Sequence, residues 1–456
     1  MADPPPLSSV TRKVIWRLLP FMMLLYLVNY VDRANVGYAA TRMNSELGLS
    51  AAAFGLGAGI FYLGYMLFEV PSNILLHKVG ARIWIARILI TWGFVSGLTS
   101  LVQGPVSFYL VRILLGVAEA GFYPGMILYL TYWLPRRPRV FATSLFVLAI
   151  PLSNVVAAPI SLPMVAQPHI FGITGWRFMF LAECIPAIVL GVVTLFWLTS
   201  RPEQATWLSR PEKEVLGAAL DAEAAETTRT VRHSVASALR SRRVLALASV
   251  YFGINFGLVA LIFFLPQILT SFKQQYGASY SPLQLGLLTA LPYLVSIPVM
   301  LAWGWHSRRT GEATWHVALP MFVGGISTSA ALYMSSPPLA IAAISVTAAA
   351  VFCAIPVFWQ LPSEFLTGTA AAAAIALINT IGVSSNFVGP YLMGWLRDST
   401  GSFRPGMFVI AGFMVLGGIL ALALRRATGQ PIPEPTERTL LASSAPGLEF
   451  TTEETR

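Results

Sequence analysis

LLPFMMLLYLVNYVDRANV, residues 18–36, is the stretch whose reading decides the fold. Arg12, Lys13 and Arg17 stand before it, so at first sight it resembles a secretory leader, a basic segment followed by an apolar one. A leader's apolar region avoids Asn29, Asp32 and Arg33, however, and many more apolar stretches follow. The segment therefore reads as a retained first membrane helix. An ionised group placed deep in a bilayer costs a few kcal/mol or more, so Asp32 and Arg33 need a reason to be there.

Working outward from this helix, the whole chain has the same character. Charged residues make up 11% of the 456, apolar residues 56%, and the mean hydropathy is +0.68. Soluble domains carry roughly 25% charged residues. A soluble core of this size cannot hide so much apolar surface, whereas a bilayer takes it up directly. The net charge of +10 does not point to nucleic acid, because the basic residues sit in short loops between apolar stretches instead of forming a patch.

A spanning helix needs about 20 mostly apolar residues. The sequence predicts spans at 15–37, 52–75, 83–102, 106–133, 141–166 and 178–199, then at 244–271, 283–304, 317–334, 338–361, 371–395 and 405–424. The expected fold is thus an all-α membrane protein of twelve transmembrane helices in two six-helix, pseudo-symmetric halves. Residues 1–14 form a cytoplasmic N-terminal segment, 15–199 the first half, 200–243 a cytoplasmic linker, 244–424 the second half and 425–456 a disordered cytoplasmic tail. The linker mixes Glu203, Glu212, Glu214, Asp221, Glu223 and Glu226 with eight basic residues and reads as surface helix. The tail is rich in Pro, Ser, Thr and Glu.

Charge tests the count. With the N-terminus in the cytoplasm, the cytoplasmic loops carry Lys78, Arg82 and Arg87, then Arg136, Arg137 and Arg139, then the linker, then Arg308 and Arg309, then Arg425 and Arg426. The opposite loops carry only Arg42, Arg177, Lys273, Arg397 and Arg404. Cytoplasmic loops are the basic ones, and miscounting by one helix destroys this alternation. The halves also echo each other: Leu76-His77-Lys78-Val79-Gly80-Ala81-Arg82 follows the second span, and Gly304-Trp305-His306-Ser307-Arg308-Arg309-Thr310-Gly311 follows the eighth. Two repeats facing one another suit alternating access around a site at mid-membrane.

The intramembrane charges lie in the first half: Asp32 and Arg33, Arg112 and Glu119, with Glu69 and Glu183 nearer helix ends, where solvation or an inter-helix hydrogen bond explains them. Glu364 and Arg397, in the second half, fall at helix ends. Arg112 and Glu119 are seven apart on one helical face, about 10 Å along the axis, so their long side chains are expected to lean together. Asp32 and Arg33 point to different sides of their helix. Asp32 is expected to reach a basic residue on a neighbouring helix and Arg33 to face a central cavity. Two arginines favour an anionic substrate, because a guanidinium holds a carboxylate bidentately. Tyr65 sits mid-helix, where its hydroxyl needs a partner. Cys184 and Cys353 read as packing residues, and His77, His169, His233, His306 and His316 lack metal-ligand spacing. No cofactor or metal is expected, and a monomer is compatible with the sequence.

The stretches Asn29-Tyr30-Val31-Asp32-Arg33-Ala34-Asn35, Phe68-Glu69-Val70-Pro71-Ser72-Asn73, Arg112-Ile113-Leu114-Leu115-Gly116-Val117-Ala118-Glu119-Ala120, Arg201-Pro202-Glu203-Gln204-Ala205, Phe358-Trp359-Gln360-Leu361-Pro362 and Gly389-Pro390-Tyr391 together resemble the major facilitator superfamily, specifically its anion:cation symporter family. The flavour is closest to bacterial tartrate, phthalate and sugar-acid carriers. The resemblance implies an inner-membrane carrier that takes up a small organic anion with protons. By motif position, Asp32 and Glu119 would handle protons. Arg33 would face the substrate carboxylate, Tyr65 would hydrogen-bond it, and Arg112 would pair with a carboxylate and release it on protonation. Trp359 and Asn379 would contribute from the second half. Two positions depart from the family: Ile150 or its neighbours replace a polar residue on the fifth span, and Arg308 stands where the loop after the eighth usually has an acid.

Three rival functions fit less well. A proton-antiport exporter of hydrophobic compounds resembles its kin in a Gly-Pro-rich fifth span, whereas residues 141–166 here hold Pro151, Pro159 and Pro163 but no glycine. A membrane enzyme needs a nucleophile, metal cluster or cofactor motif at a membrane face. A transport-dead receptor needs an output domain larger than this linker and tail.

Overall fold

The computed structural model describes residues 5–229, 241–363 and 368–428. Glu364 and the tail from 429 lie outside them. Every element among the described residues is helical apart from one isolated Ile170–Ile173 bridge. The first half comprises α1 (Leu7–Glu46), α2 (Ala51–Val79), α3 (Ala81–Leu98), α4 (Pro105–Glu119), α5 (Phe122–Trp133), α6 (Arg136–Val147), α7 (Ala149–Ala166) and α8 (Gly175–Trp197). The linker holds α9 (Arg210–Arg229). The second half comprises α10 (Arg242–Tyr276), α11 (Pro282–Thr310), α12 (Thr314–Ala331), α13 (Pro337–Phe358), α14 (Gln360–Ser363), α15 (Gly368–Thr400) and α16 (Arg404–Thr428).

Ten segments among the described residues are long and apolar enough to span a membrane, two of them being the pairs α4–α5 and α6–α7. Helices α12 and α15 complete the set of twelve; α12 is diluted by His316 and by its Ser, Thr and Gly residues. At 40 residues, α1 is far longer than the predicted 15–37. Its ends run beyond the predicted apolar span and are tied down there: Lys13 pairs with Glu212 of α9 at 2.8 Å, and Glu46 accepts from Trp176 at 2.5 Å and Arg177 at 3.1 Å. The predicted continuous fourth span is broken between Glu119 and Phe122, where Gly121 takes a left-handed φ of 83°. A β-carbon on Gly121 would lie 2.5 Å from Ser72 Oγ, so both backbone and space call for glycine.

The echo between the halves has a structural counterpart. Gly80 ends α2 with φ 99° and Gly311 ends α11 with φ 66°. Helix α9 lies against the same end of the molecule, where Glu223 accepts from the Arg136 amide at 2.7 Å and pairs with Arg139 at 2.8 Å. We call this end the linker face.

The halves meet closely at the opposite face. Helix α2 packs on α15 so tightly that a β-carbon on Gly55 would lie 2.0 Å from Pro390 O, and one on Gly59 2.5 Å from Phe387 O. Gly394 stands in the same relation to Ala51 O at 2.0 Å, and Gly286 of α11 to Ala158 O of α7 at 2.7 Å. Small residues let backbones approach where lipid offers no hydrophobic drive for association. Asp398 then caps α2, accepting from the amides of Ala51 at 3.0 Å and Ala52 at 2.7 Å. A carboxylate at a helix N-terminus satisfies free amides and complements the dipole.

Candidate functional site

The intramembrane charges converge between α1, α2 and α4. Glu119, fully buried, is the last residue of α4. Arg33 Nε donates to Glu119 Oε1 at 2.6 Å, and a terminal guanidinium nitrogen meets the same oxygen. This overturns the expected Arg112–Glu119 pair. The rise of about 10 Å between those two residues is not closed, and the chain leaves helical geometry at Ala120 immediately after Glu119. The carboxylate is therefore free to serve α1. Arg112 turns toward α2 instead. Its Nε donates to Gly57 O at 3.2 Å, a terminal nitrogen donates to Ala58 O at 3.3 Å, and only 2% of the residue is exposed.

Aromatic rings enclose the Arg33 guanidinium: Tyr30 at 5.4 Å, Phe61 at 5.5 Å, Tyr62 at 5.9 Å and Tyr65 at 5.2 Å. Phe61 also faces Arg112 at 4.9 Å. Such faces stabilise a cation by their quadrupoles without neutralising it. The Arg33 side chain keeps 11% exposure and Glu119 none, so the carboxylate is the more deeply buried partner of the pair. Tyr65 thus stands beside Arg33.

Asp32 points the other way and does not reach a basic residue at salt-bridge distance. Ser96 of α3 and Asn35 donate to its Oδ1, the latter at 3.1 Å, and its Oδ2 has no partner. The second half contributes an aromatic cluster. Trp359, at the end of α13, meets Tyr251 edge-on at 4.9 Å, and Tyr251 stacks on Phe358 at the same distance. Gly382 of α15 makes room for Tyr251, whose ring would lie 2.1 Å from a β-carbon there. Asn379 lies half-buried one turn earlier on α15. Tyr251 interacts with Tyr30 and Tyr123, so it reaches the first half. In the sequence it is inconspicuous, because one tyrosine in an apolar span looks like packing.

Two further groupings escape sequence reasoning. His306 Nδ1 and His316 Nε2 lie 2.7 Å apart, and His316 Nδ1 lies 2.9 Å from Glu312, so two of the scattered histidines meet across the α11–α12 turn. Glu183, assigned to a helix end by span position, accepts from Ser161 at 2.5 Å and has a buried, unpartnered Oε2.

Residues 22–390 match the sequence profile described as Major Facilitator Superfamily. A protein of Agrobacterium vitis named "Putative tartrate transporter" is 46% identical over 429 residues, which are 94% of this chain and 94% of that one. The "Quinolone resistance transporter" of Acinetobacter baumannii is 39% identical over 413 residues, 91% of this chain and 94% of its own. Among solved structures, the inward open xylose transporter XylE from E. coli superposes with a TM-score of 0.70 at 16% identity, covering 90% of this chain and 96% of that one, a likeness of fold alone. With a profile across most of its length and a 46% identical relative aligned nearly end to end, this chain belongs to the Major Facilitator Superfamily and is a multi-pass membrane transporter, not an enzyme.

Proposed function

We propose that this chain is a proton-coupled symporter that imports a small organic anion, a carboxylate of the sugar-acid, tartrate-like or aromatic-acid kind, by alternating access across the inner membrane. The observation that carries the reading is the Arg33–Glu119 pair, sealed on the carboxylate side and bordered by aromatic rings on the other. A proton on Glu119 removes the charge that holds Arg33. The freed guanidinium then takes the substrate carboxylate in its planar fork, with Tyr65 as hydroxyl partner and Trp359 and Asn379 facing it from the second half. Loss of the proton on the other side restores the pair and expels the anion. Asp32 is the second proton-handling carboxylate. Arg112, held by backbone carbonyls, adds fixed positive charge beside the site and does not switch. With the linker face and both termini in the cytoplasm, the contacts at Gly55, Gly286 and Asp398 close the outer face, which makes this an inward-facing state. The relative named for tartrate transport supports the substrate class. The test is uptake of a labelled organic-acid panel into vesicles with an imposed proton gradient; accumulation of no acid when the outside is acidified defeats the reading.

A second reading, proton-driven export of hydrophobic compounds, draws support from the relative named for quinolone resistance. In the same vesicles it requires extrusion coupled to proton entry, with no organic-acid uptake.

A further inference from the structure

Glu183 has no task in the mechanism above, and its surroundings are chemically incomplete. It lies on α8, packed between α1, α3 and α7. Its Oε1 accepts from Ser161 Oγ of α7 at 2.5 Å, while its Oε2 is buried without a partner. Among the described residues no basic group forms an ion pair with it. Arg177, earlier on the same helix, is committed to Glu46 at 3.1 Å. The groups that face Glu183 are acceptors or neutral. From α1 come Asp32, Asn35 and Tyr38, whose hydroxyl is already given to Asn154 at 3.1 Å. Helix α7 carries no titratable residue, and α3 offers Ser96, which serves Asp32, its arginines Arg82 and Arg87 lying at the opposite end. Asn35 stands between the two carboxylates: its amide donates to Asp32 at 3.1 Å, and its side chain also interacts with Glu183. Three acceptor atoms in this cluster, Asp32 Oδ2, Asn35 Oδ1 and Glu183 Oε2, lack a donor.

Arg112 and Glu119 act on Asp32 from α4 without pairing with it, and among the described residues no cation pairs with Glu183. A buried ionised carboxylate is tolerated when paired and hydrogen-bonded, and two neighbouring ones repel. What the cluster lacks is a proton. We propose that Glu183 is a further proton-binding site of the first half, sharing one proton with Asp32 across Asn35. Binding forms a single O–H bond at Glu183 Oε2 and turns a carboxylate into a carboxylic acid. Release passes that proton to Asp32 Oδ2 or to water, and no other bond changes. The inference rests on the proton-coupled reading above and extends it, because Asp32 then titrates as one member of a pair.

Two measurements on the full-length protein test it, each comparing wild type with Glu183→Gln and Glu183→Asp. In the first, infrared difference spectra of purified protein in lipid are recorded as the pH is changed. The expected result is a carboxylic-acid C=O band in wild type that loses one component in Glu183→Gln and keeps it, shifted, in Glu183→Asp. In the second, the pH dependence of uptake is measured with a fixed membrane potential. Glu183→Gln is expected to move half-maximal uptake by about one pH unit, a tenfold change in proton concentration, with Glu183→Asp closer to wild type. Identical pH profiles overturn the proposal, since a packing role lowers rate without moving the profile. If Glu183→Gln does not transport, the infrared spectra decide, and an unchanged band overturns it. If wild-type uptake ignores the proton gradient, the symport reading itself falls and the infrared arm alone judges Glu183.

Discussion

Arg33 and Glu119, 86 positions apart in sequence, share one carboxylate oxygen: Arg33 Nε lies 2.6 Å from Glu119 Oε1. The other carboxylate oxygen has no partner. A buried pair of this kind is a weak source of stability but a strong determinant of state, because removing one charge leaves the other buried and uncompensated, at a cost of about 3–5 kcal/mol. Protonation of Glu119 is one way to remove a charge, and an arriving anion is one way to compensate the charge left behind.

The fork of Arg33 is expected to matter as much as its charge. Arg33→Lys keeps the cation but offers a point charge in place of two parallel donors. Substrate affinity should fall by about tenfold to a hundredfold, the equivalent of about 1.4–2.8 kcal/mol, measured as the half-saturating concentration in counterflow exchange. Wild-type affinity in Arg33→Lys assigns the arginine to packing and moves anion binding elsewhere.

Closure of the face opposite the linker depends on backbone contact at Gly55. Gly55→Val places side-chain carbon where Pro390 O now stands, 2.0 Å from the ideal β-carbon. The halves are then held apart at that face, and exchange should drop by at least about tenfold, since alternation needs both closed states. Thermal unfolding in detergent separates this from misfolding: the variant should keep its transition while losing exchange. Full exchange in Gly55→Val shows that the face seals by other contacts.

The helix plan is legible in the sequence because polar, basic turns alternate with apolar runs at bilayer length, and each half repeats the pattern. Arg33, Tyr65, Asp32 and Glu119 stand out at mid-membrane because burying a polar or charged group there costs too much to be incidental. The partner of Glu119 is not legible, because side-chain direction after a helix break depends on the backbone at Ala120 and Gly121, which a 3.6-residue period does not describe. Tyr251 is hidden because only the packing of α10 on α13 and α15 brings that ring against Phe358 and Trp359. For Glu183 the inter-helix hydrogen bond is the one of the two sequence alternatives that the structure shows, but its depth is not legible, because distance from a helix end does not measure burial when neighbouring helices cover it.

The α1–α2 turn and the linker should lie on opposite sides of the membrane. Reporter fusions at Ser45, after the first span, and at Gln204, after the sixth, should give opposite signals, with Gln204 cytoplasmic. The alternation of basic loops is the reason. Signals from the same side remove the twelve-span count.

Linker docking should be sensitive to acid. A hydrogen bond from Lys13, at 2.8 Å, and the Ser209 amide hold Glu212 below the usual carboxylate range. A group whose value is depressed on folding contributes above its ordinary value and loses that contribution as pH falls through the depressed one. The contact is exposed, so the effect is modest. Hydrogen exchange across residues 205–223, corrected for intrinsic rate, should rise as wild type is acidified, and Glu212→Gln should show the faster exchange already at neutral pH. Equal protection in Glu212→Gln shows that Trp207, stacked on Trp133 at 5.4 Å, holds the linker unaided.

The coupling itself is tested at Glu119. Glu119→Gln removes the negative charge while keeping size and an acceptor oxygen, so it mimics the protonated state permanently. Arg33 is then released at every pH, and the substrate carboxylate meets a free guanidinium on either side of the membrane. Binding should persist, and counterflow exchange, which needs no net proton movement, should continue at a rate within about tenfold of wild type. Accumulation against a gradient should disappear, because no proton is taken up with the anion or released after it. Asp32→Asn should also lose accumulation, with weaker exchange as well, since Ser96 and Asn35 lose the carboxylate they both serve. The measurement is paired: exchange at equal pH, and uptake with the outside acidified, on the same vesicle preparation. Glu119→Gln that accumulates substrate with wild-type proton dependence removes Glu119 from coupling. Loss of both activities with intact substrate binding gives it a part in the conformational change, since a residue that only couples protons is not needed for exchange.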